Sequence, residues 1–276
     1  MTETPKSTVP ATNTKQDSIQ KMRNLLSEDG VKKQFNNALG EASAPFIASV
    51  MEIYSSDSTL MNCNPSMVIA EALKAAILKL PIIKSLGFAY IVPFKRGEAY
   101  IPTFIPGYKG YIQLAMRTGQ YKTINADKVY EGELQVVNKL TGEINFGGTR
   151  KNDTIVGYFA YFELLNGFSK TYYVTKTDIL AHAKKYSKSY NSQSSPWKTE
   201  EDAMSLKTVI RHLLSHYGYL SVEMMHAMAD DNEDTPESIR DEAVQNNTGR
   251  KPIVATDVAF EDVNKGEVTP EDDKPY

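Results

Sequence analysis

The stretch FAYIVPFKRGEAYIPTFIPGYKGYIQLAMRTG, residues 88–119, decides how the rest of the chain is read. Two runs, Phe88–Phe94 and Ala99–Ile105, are rich in β-branched and aromatic residues and are separated by KRGE, so they predict a β-hairpin with a basic tip. Pro93 and Pro102 lack backbone donors and suit an edge or a bulge rather than the centre of a sheet. The following run, Gly107–Arg117, predicts a helix closed by Gly119. Upstream, Asn64 as N-cap and Pro65 as first residue open a helix whose apolar positions are Met67, Ile69, Ala70, Leu73, Ile77 and Leu80, with Pro81 as its stop. Helical spacing of Phe35 and Leu39, then of Phe46, Val50, Ile53 and Tyr54, predicts two or three earlier helices broken at Gly30 and Gly40. Downstream, strand-like runs at 121–131, 135–137, 154–164 and 171–175, separated by turn signals, predict an antiparallel meander. A helix over 177–186, a serine-rich loop over 187–196 and a helix opened by Thr199 complete the body. That last helix has Ala203, Leu206, Ile210, Leu213 and Tyr217 as its expected buried stripe.

Residues 1–18 are Thr- and Pro-rich with few large apolar groups and read as a disordered arm; residues 19–229 read as the folded core. Residues 230–276 read as a disordered acidic tail, and charge separates them sharply from the body. They hold fourteen Asp and Glu against five Lys and Arg, so the whole-chain net charge of −3 conceals a body of +6. Residues 79–122 alone carry seven basic residues and a single acid, Glu98, which is a footprint for a polyanion as well as a pattern that a solvated surface produces. The lone Cys63 has no partner for an intrachain disulfide, and no run approaches the length and apolarity of a membrane span. A cytoplasmic protein is the expectation.

Projected on a helix, Lys109, Gln113 and Arg117 share one stripe, while Tyr108, Tyr111, Ile112 and Ala115 face elsewhere. The opening Gly107-Tyr108-Lys109-Gly110 combines small residues, which admit a close approach, with the free N–H groups of a helix start. With Lys95 and Arg96 on the hairpin tip and Lys122 beyond the helix, these residues form the candidate DNA-binding surface. Phe94, Tyr100, Phe104, Tyr108, Tyr111, Tyr121 and Trp197 are candidate base-stacking rings, although alternating aromatic residues in strands more often fill cores. Lys185, Lys198, Lys207 and Arg211 supply a second basic wall.

The blocks LPIIKSLGFAYIVPF, residues 80–94, and PGYKGYIQLAMRTGQYKTINADKVYEGE, residues 106–133, resemble signature regions of the RecT family of phage single-strand annealing proteins. The similarity continues through IVGYFAYF and LLNGFSKTYYVTK to the final helix, covering roughly residues 31–226. Two positions depart from it. Many family members carry Leu-Gly-Leu where this chain has Leu78-Lys79-Leu80, and Tyr where it has Phe94. The resemblance implies an α+β fold, assembly into rings or helical filaments on DNA, and annealing of complementary single strands without ATP. It also implies a companion exonuclease and a host single-strand-binding protein as partners. No cofactor is expected, Mg2+ assisting annealing through the DNA.

Other functional classes find less support. No GxxxxGK[ST] phosphate loop occurs, so ATP-driven strand exchange lacks its main motif. His212 and His216 stand four residues apart without an HExxH context, and Asp127, Glu131 and Glu133, or the acidic run Asp230 to Asp234 in the expected tail, are the acids a metal-dependent nuclease would use. A passive single-strand coat shares the basic and aromatic features of an annealing protein and remains the alternative that composition does not separate.

Overall fold

The structure, a computed structural model, describes residues 11–138, 140–187, 189–193 and 195–232. Helix α1 (Ala11–Ser27) begins inside the span expected to be an unstructured arm, and Met22 and Leu26 from its second half are buried. That apolar burial offsets the entropy of ordering a stretch whose first residues are polar. Helices α2 (Asp29–Leu39) and α3 (Ser43–Ser56) follow. Gly30 lies within the first turn of α2 and is no break, whereas Gly40 is one, in a positive-φ conformation that ends α2.

Helix α4 (Pro65–Ile77) starts as its sequence predicts: the Asn64 carboxamide accepts from the Ser66 N–H at 3.0 Å, with Pro65 in the first helical position. It ends in a Schellman turn in which Leu80 N–H donates to Ala75 O and Lys79 N–H to Ala76 O, both at 2.9 Å. Lys79 takes the left-handed position, φ +51°, that glycine normally fills. The core face of α4 matches the expected one only in part: Ile69 and Leu80 are buried as expected. Val68, Ile69, Ala72, Ala75 and Ala76 are buried, while Met67 and Ile77 are 41% and 57% exposed. Small side chains face inward because α1 and α2 pack against α4 and a β-strand also lies on it, so backbones approach closely.

That strand belongs to the predicted hairpin, β1 (Ala89–Arg96) and β2 (Ala99–Pro106), paired in register from Ala89↔Pro106 to Arg96↔Ala99 with Gly97 left-handed at the tip. Pro93 sits opposite Pro102, which a two-stranded sheet tolerates because both strands are edges. The Glu71 carboxylate of α4 accepts from the Phe104 N–H at 2.7 Å and fixes the hairpin to the helix.

Helix α5 (Tyr108–Arg117) closes at Gly119, as expected. The main sheet has three antiparallel strands in the order β3 (Tyr121–Tyr130), β6 (Ile155–Leu164), β7 (Ser169–Thr175). The run near 135–137 is not part of it. It forms β4 (Val136–Asn138), which pairs only with β5 (Glu143–Asn145) as a small separate hairpin. Helix α6 (Lys176–Tyr186) is capped by Thr175, whose hydroxyl accepts from Asp178 N–H. The expected cap at Thr199 is displaced. Ser195 caps a short turn, α7 (Pro196–Thr199), and α8 (Glu201–Tyr217) starts after Glu200. Leu206, Val209, Ile210, Leu213 and Leu214 of α8 are buried in the cluster shared with the sheet, whereas Tyr217 is 45% exposed. A final helix, α9 (Val222–Asn232), extends into the expected tail and packs on β2 and α5. Residues 1–10 of the expected arm and 233–276 of the expected tail lie outside the described residues. The result is an α+β fold.

Candidate nucleic-acid interface

Of the expected DNA contacts, Lys95, Arg96, Lys109, Arg117 and Lys122 are exposed; Lys95 and Arg96 stand at the hairpin tip and Lys109 in the first turn of α5. Strand geometry sets their separation. Six steps from Ala89 to Lys95 at about 3.3 Å each put the tip roughly 20 Å from the hairpin base, where α5 begins, or about six B-form phosphate spacings. Around Lys109 the structure assembles a small aromatic surface. The lysine stem passes over Gly87, where an added Cβ would meet Lys109 Cδ at 3.5 Å and the Tyr90 hydroxyl at 3.4 Å. Tyr90 and Tyr108 are both half-buried. The Tyr90 phenol is pushed above its ordinary value by burial, then by the charges of Glu200 and Tyr108. Glu200 ends the α7 turn that carries exposed Lys198. Tyr90 was not among the expected contacts. The alternation of FAYIVPF, which sends Ala89 and Ile91 inward, is the signal that places it on the other face.

The glycines of the Gly107-Tyr108-Lys109-Gly110 turn serve the protein's own backbone. A Cβ at Gly107 would lie 2.2 Å from Gly87 O, and one at Gly110 would lie 2.2 Å from Phe88 O. Gly107 N–H donates to Phe88 O at 2.9 Å, so the close approach expected for a nucleic-acid strand is taken by residues 87–88. The turn places Lys109 at the hairpin base.

Several expected contacts are committed elsewhere. Arg117 donates from Nη1 to Leu78 O at 2.6 Å and from Nη2 to Lys79 O at 2.7 Å, bonding the electronegative C-terminal end of α4. Gln113, on the same stripe, is half-buried. Lys122 is exposed but pairs with Glu163 at 2.7 Å. Lys185 is exposed with its ammonium 4.9 Å from the Tyr186 ring, and Lys198 donates to Asn191 O at 3.4 Å.

Lys207 and Arg211, expected on a groove wall, meet Asp231 of α9 instead. Lys207 Nζ lies 2.5 Å from Asp231 Oδ1 and Arg211 Nε 3.3 Å from Oδ2, with the Lys207 and Asp231 side chains only 10% and 8% exposed. Tyr111 donates its hydroxyl to Asp231 Oδ2 at 2.8 Å. Burial, followed by the Asp231 charge, raises that phenol well above its ordinary range and keeps it a donor. A second knot of the same kind sits at the other end of α8: Tyr158 donates to Asp202 Oδ1 at 2.7 Å and Lys128 lies 2.5 Å from Oδ2. Phe104, Tyr111 and Trp197, at 1%, 0% and 6% exposure, are interior residues and present no face to a base.

The acids weighed for metal chemistry near the end of β3 act locally. Asp127 accepts from Lys128 N–H, Glu131 from the Asn152 carboxamide and Glu133 from Tyr130 N–H, which shapes the end of β3. Among the described residues no group of three or more His, Cys, Asp or Glu is placed to hold a metal ion, and no helix is long and apolar enough to cross a membrane.

The chain is 49% identical over 213 residues to the uncharacterized protein YqaK of Bacillus subtilis strain 168, spanning 77% of this chain and 72% of that one. It is 29% identical over 185 residues to protein RecT of Escherichia coli K12, spanning 63% of this chain and 66% of the relative. The RecT family model matches residues 44–247, from α3 through α9 and beyond, and the chain belongs to the RecT family.

Proposed function

We propose that this protein binds single-stranded DNA along the path from the hairpin tip to the start of α5 and anneals complementary strands without ATP, in homologous recombination of a phage or prophage. The observation that carries the reading is the exposure of Lys95 and Arg96 at the hairpin tip and of Lys109 at the start of α5, in a chain of the RecT family. These cations neutralise phosphates of one strand while its base edges remain available to a second. Base pairing supplies the selectivity, and each pair step formed is downhill by about 1.4 kcal/mol, so no hydrolysis is required. Mg2+ acts through the DNA by screening the approach of two polyanions. Assembly into a ring or helical filament, a companion exonuclease and a host single-strand-binding protein in the bacterial cytoplasm complete the proposal.

An annealing time course with labelled complementary oligonucleotides, magnesium present and ATP absent, tests it. Faster duplex formation at constant strand length is the expected result. Strand protection without acceleration would instead indicate a passive coat, and shortened strands a nuclease.

A further inference from the structure

A row of stacked rings lies on β7 and the C-terminal half of α8, on elements distinct from the hairpin and α5. Tyr172 stacks on His212 with centroids 4.1 Å apart and planes inclined by 20°, and His212 stacks on His216 at 3.9 Å and 23°. Tyr172 comes from β7, while His212 and His216 are one turn apart on α8, the spacing that places side chains one above the other. Tyr172 and His212 are half-buried and His216 is exposed, so the column starts against the sheet and ends in solvent.

The orientation of His216 is fixed from its edge. His216 Nδ1 lies 2.8 Å from the His212 carbonyl oxygen, to which it donates, and 3.0 Å from Ser215 Oγ. Burial, then the neighbouring His216, His182 and Arg211, push the His212 imidazole down to about 4, so a neutral ring is sandwiched in the column at neutral pH. A chelating pair at this spacing turns its nitrogens toward one point; here the rings lie face to face and one His216 nitrogen is engaged. The centroid separations instead approach the roughly 3.4 Å rise of stacked bases along a DNA strand. A cation stands beside the column: Lys170 Nζ is 5.1 Å from the centroid of Tyr217, the ring next to His216.

We propose that the Tyr172–His212–His216 column is a stacking platform for an unpaired nucleobase of bound single-stranded DNA, with the exposed His216 ring as its open end and Lys170 as the neighbouring phosphate contact. The platform rests on the single-strand binding proposed above and adds a base contact on other elements of the fold. It is indifferent to base identity, because every base offers a ring face.

The test uses the full chain and fluorescence anisotropy with a labelled thymidine oligonucleotide and an abasic strand of the same length. Wild type, H216A and H216F are compared, with H216Q as a second ringless variant should H216A melt early. Loss of one stacking contact predicts about tenfold weaker binding of the thymidine strand by H216A, with the abasic strand unaffected. H216F, which keeps a ring and loses the nitrogens, should bind within about twofold of wild type on the same scale. Equal affinity of wild type and the ringless variants for the thymidine strand overturns the platform and leaves strand binding standing. A wild-type protein that binds neither strand overturns both.

Discussion

Two regions of this molecule look alike in sequence and behave oppositely in the fold: the basic hairpin with the start of α5, and the α5–α8–α9 junction. Both combine tyrosines with lysine and arginine. In the first, Lys95, Arg96 and Lys109 stand exposed. In the second, Lys207 and Arg211 close on Asp231, and Tyr111 completes the knot from inside the core. The difference lies in where the counter-charge comes from. Lys95 and Arg96 lie at a tight turn, whereas a cation on a helix flanked by another helix can be met by an acid 24 residues away. Positive charge in a sequence therefore counts what could meet a phosphate, and packing decides how much of it does.

Breaking the knot should have the largest effect on stability. Asp231→Ala leaves Lys207 and Arg211 without that carboxylate and Tyr111 without its acceptor, and should lower the unfolding free energy by about 3 kcal/mol in chemical denaturation. The same measurement on K95A/R96A should show a change within about 0.5 kcal/mol, since both residues are exposed. Equal losses in the two variants would erase the distinction. Gly110→Ala comes next. Its Cβ would collide with Phe88 O, and a loss of about 2 kcal/mol is expected, with Lys109 displaced from the hairpin base.

A smaller change of opposite sign is expected at Lys79. Substitution by Gly relieves the left-handed strain there and should stabilise by about 0.5–1 kcal/mol, read as a higher melting temperature. The exposed knot at Asp202 should matter least. Against the cost of partial burial, hydrogen bonds from Lys128 and Tyr158 hold its carboxyl below the usual range. A depressed folded-state pKa adds stability that is present above the unfolded value of about 3.9 and is lost as pH falls through the folded one. Because this carboxylate is 42% exposed, solvent screening holds the gap between wild type and D202N to about 0.5 kcal/mol near neutral pH. That gap should close below about pH 3–4; one unchanged at low pH would show that the ion pair is not its source.

Much of this fold was legible because local chemistry dictates it. Asn64-Pro65 at the start of α4, the tip of the hairpin and the Gly119 end of α5 follow from caps and turns that involve neighbouring residues alone. What the sequence concealed depends on distant partners. Phe104 and Tyr111 read as either base-stacking rings or core, and only tertiary packing assigns them inward. The Gly107 and Gly110 pair advertised a close approach correctly, but the approaching group is the chain's own backbone. Asp231 lies in a run of acids that reads as tail, and nothing local marks it as the partner of two cations on α8. Lys79 was visible as a departure from a glycine, and its φ shows what that glycine would have served.

The salt dependence of single-strand affinity in K95A/R96A/K109A addresses the central claim most directly. Each phosphate contact on a single strand contributes about 0.7 to the slope of log affinity against log salt, so removing three should reduce the slope by about 2, with the melting temperature unchanged. An affinity and slope equal to those of wild type would contradict the assignment of the strand path to the hairpin and the start of α5.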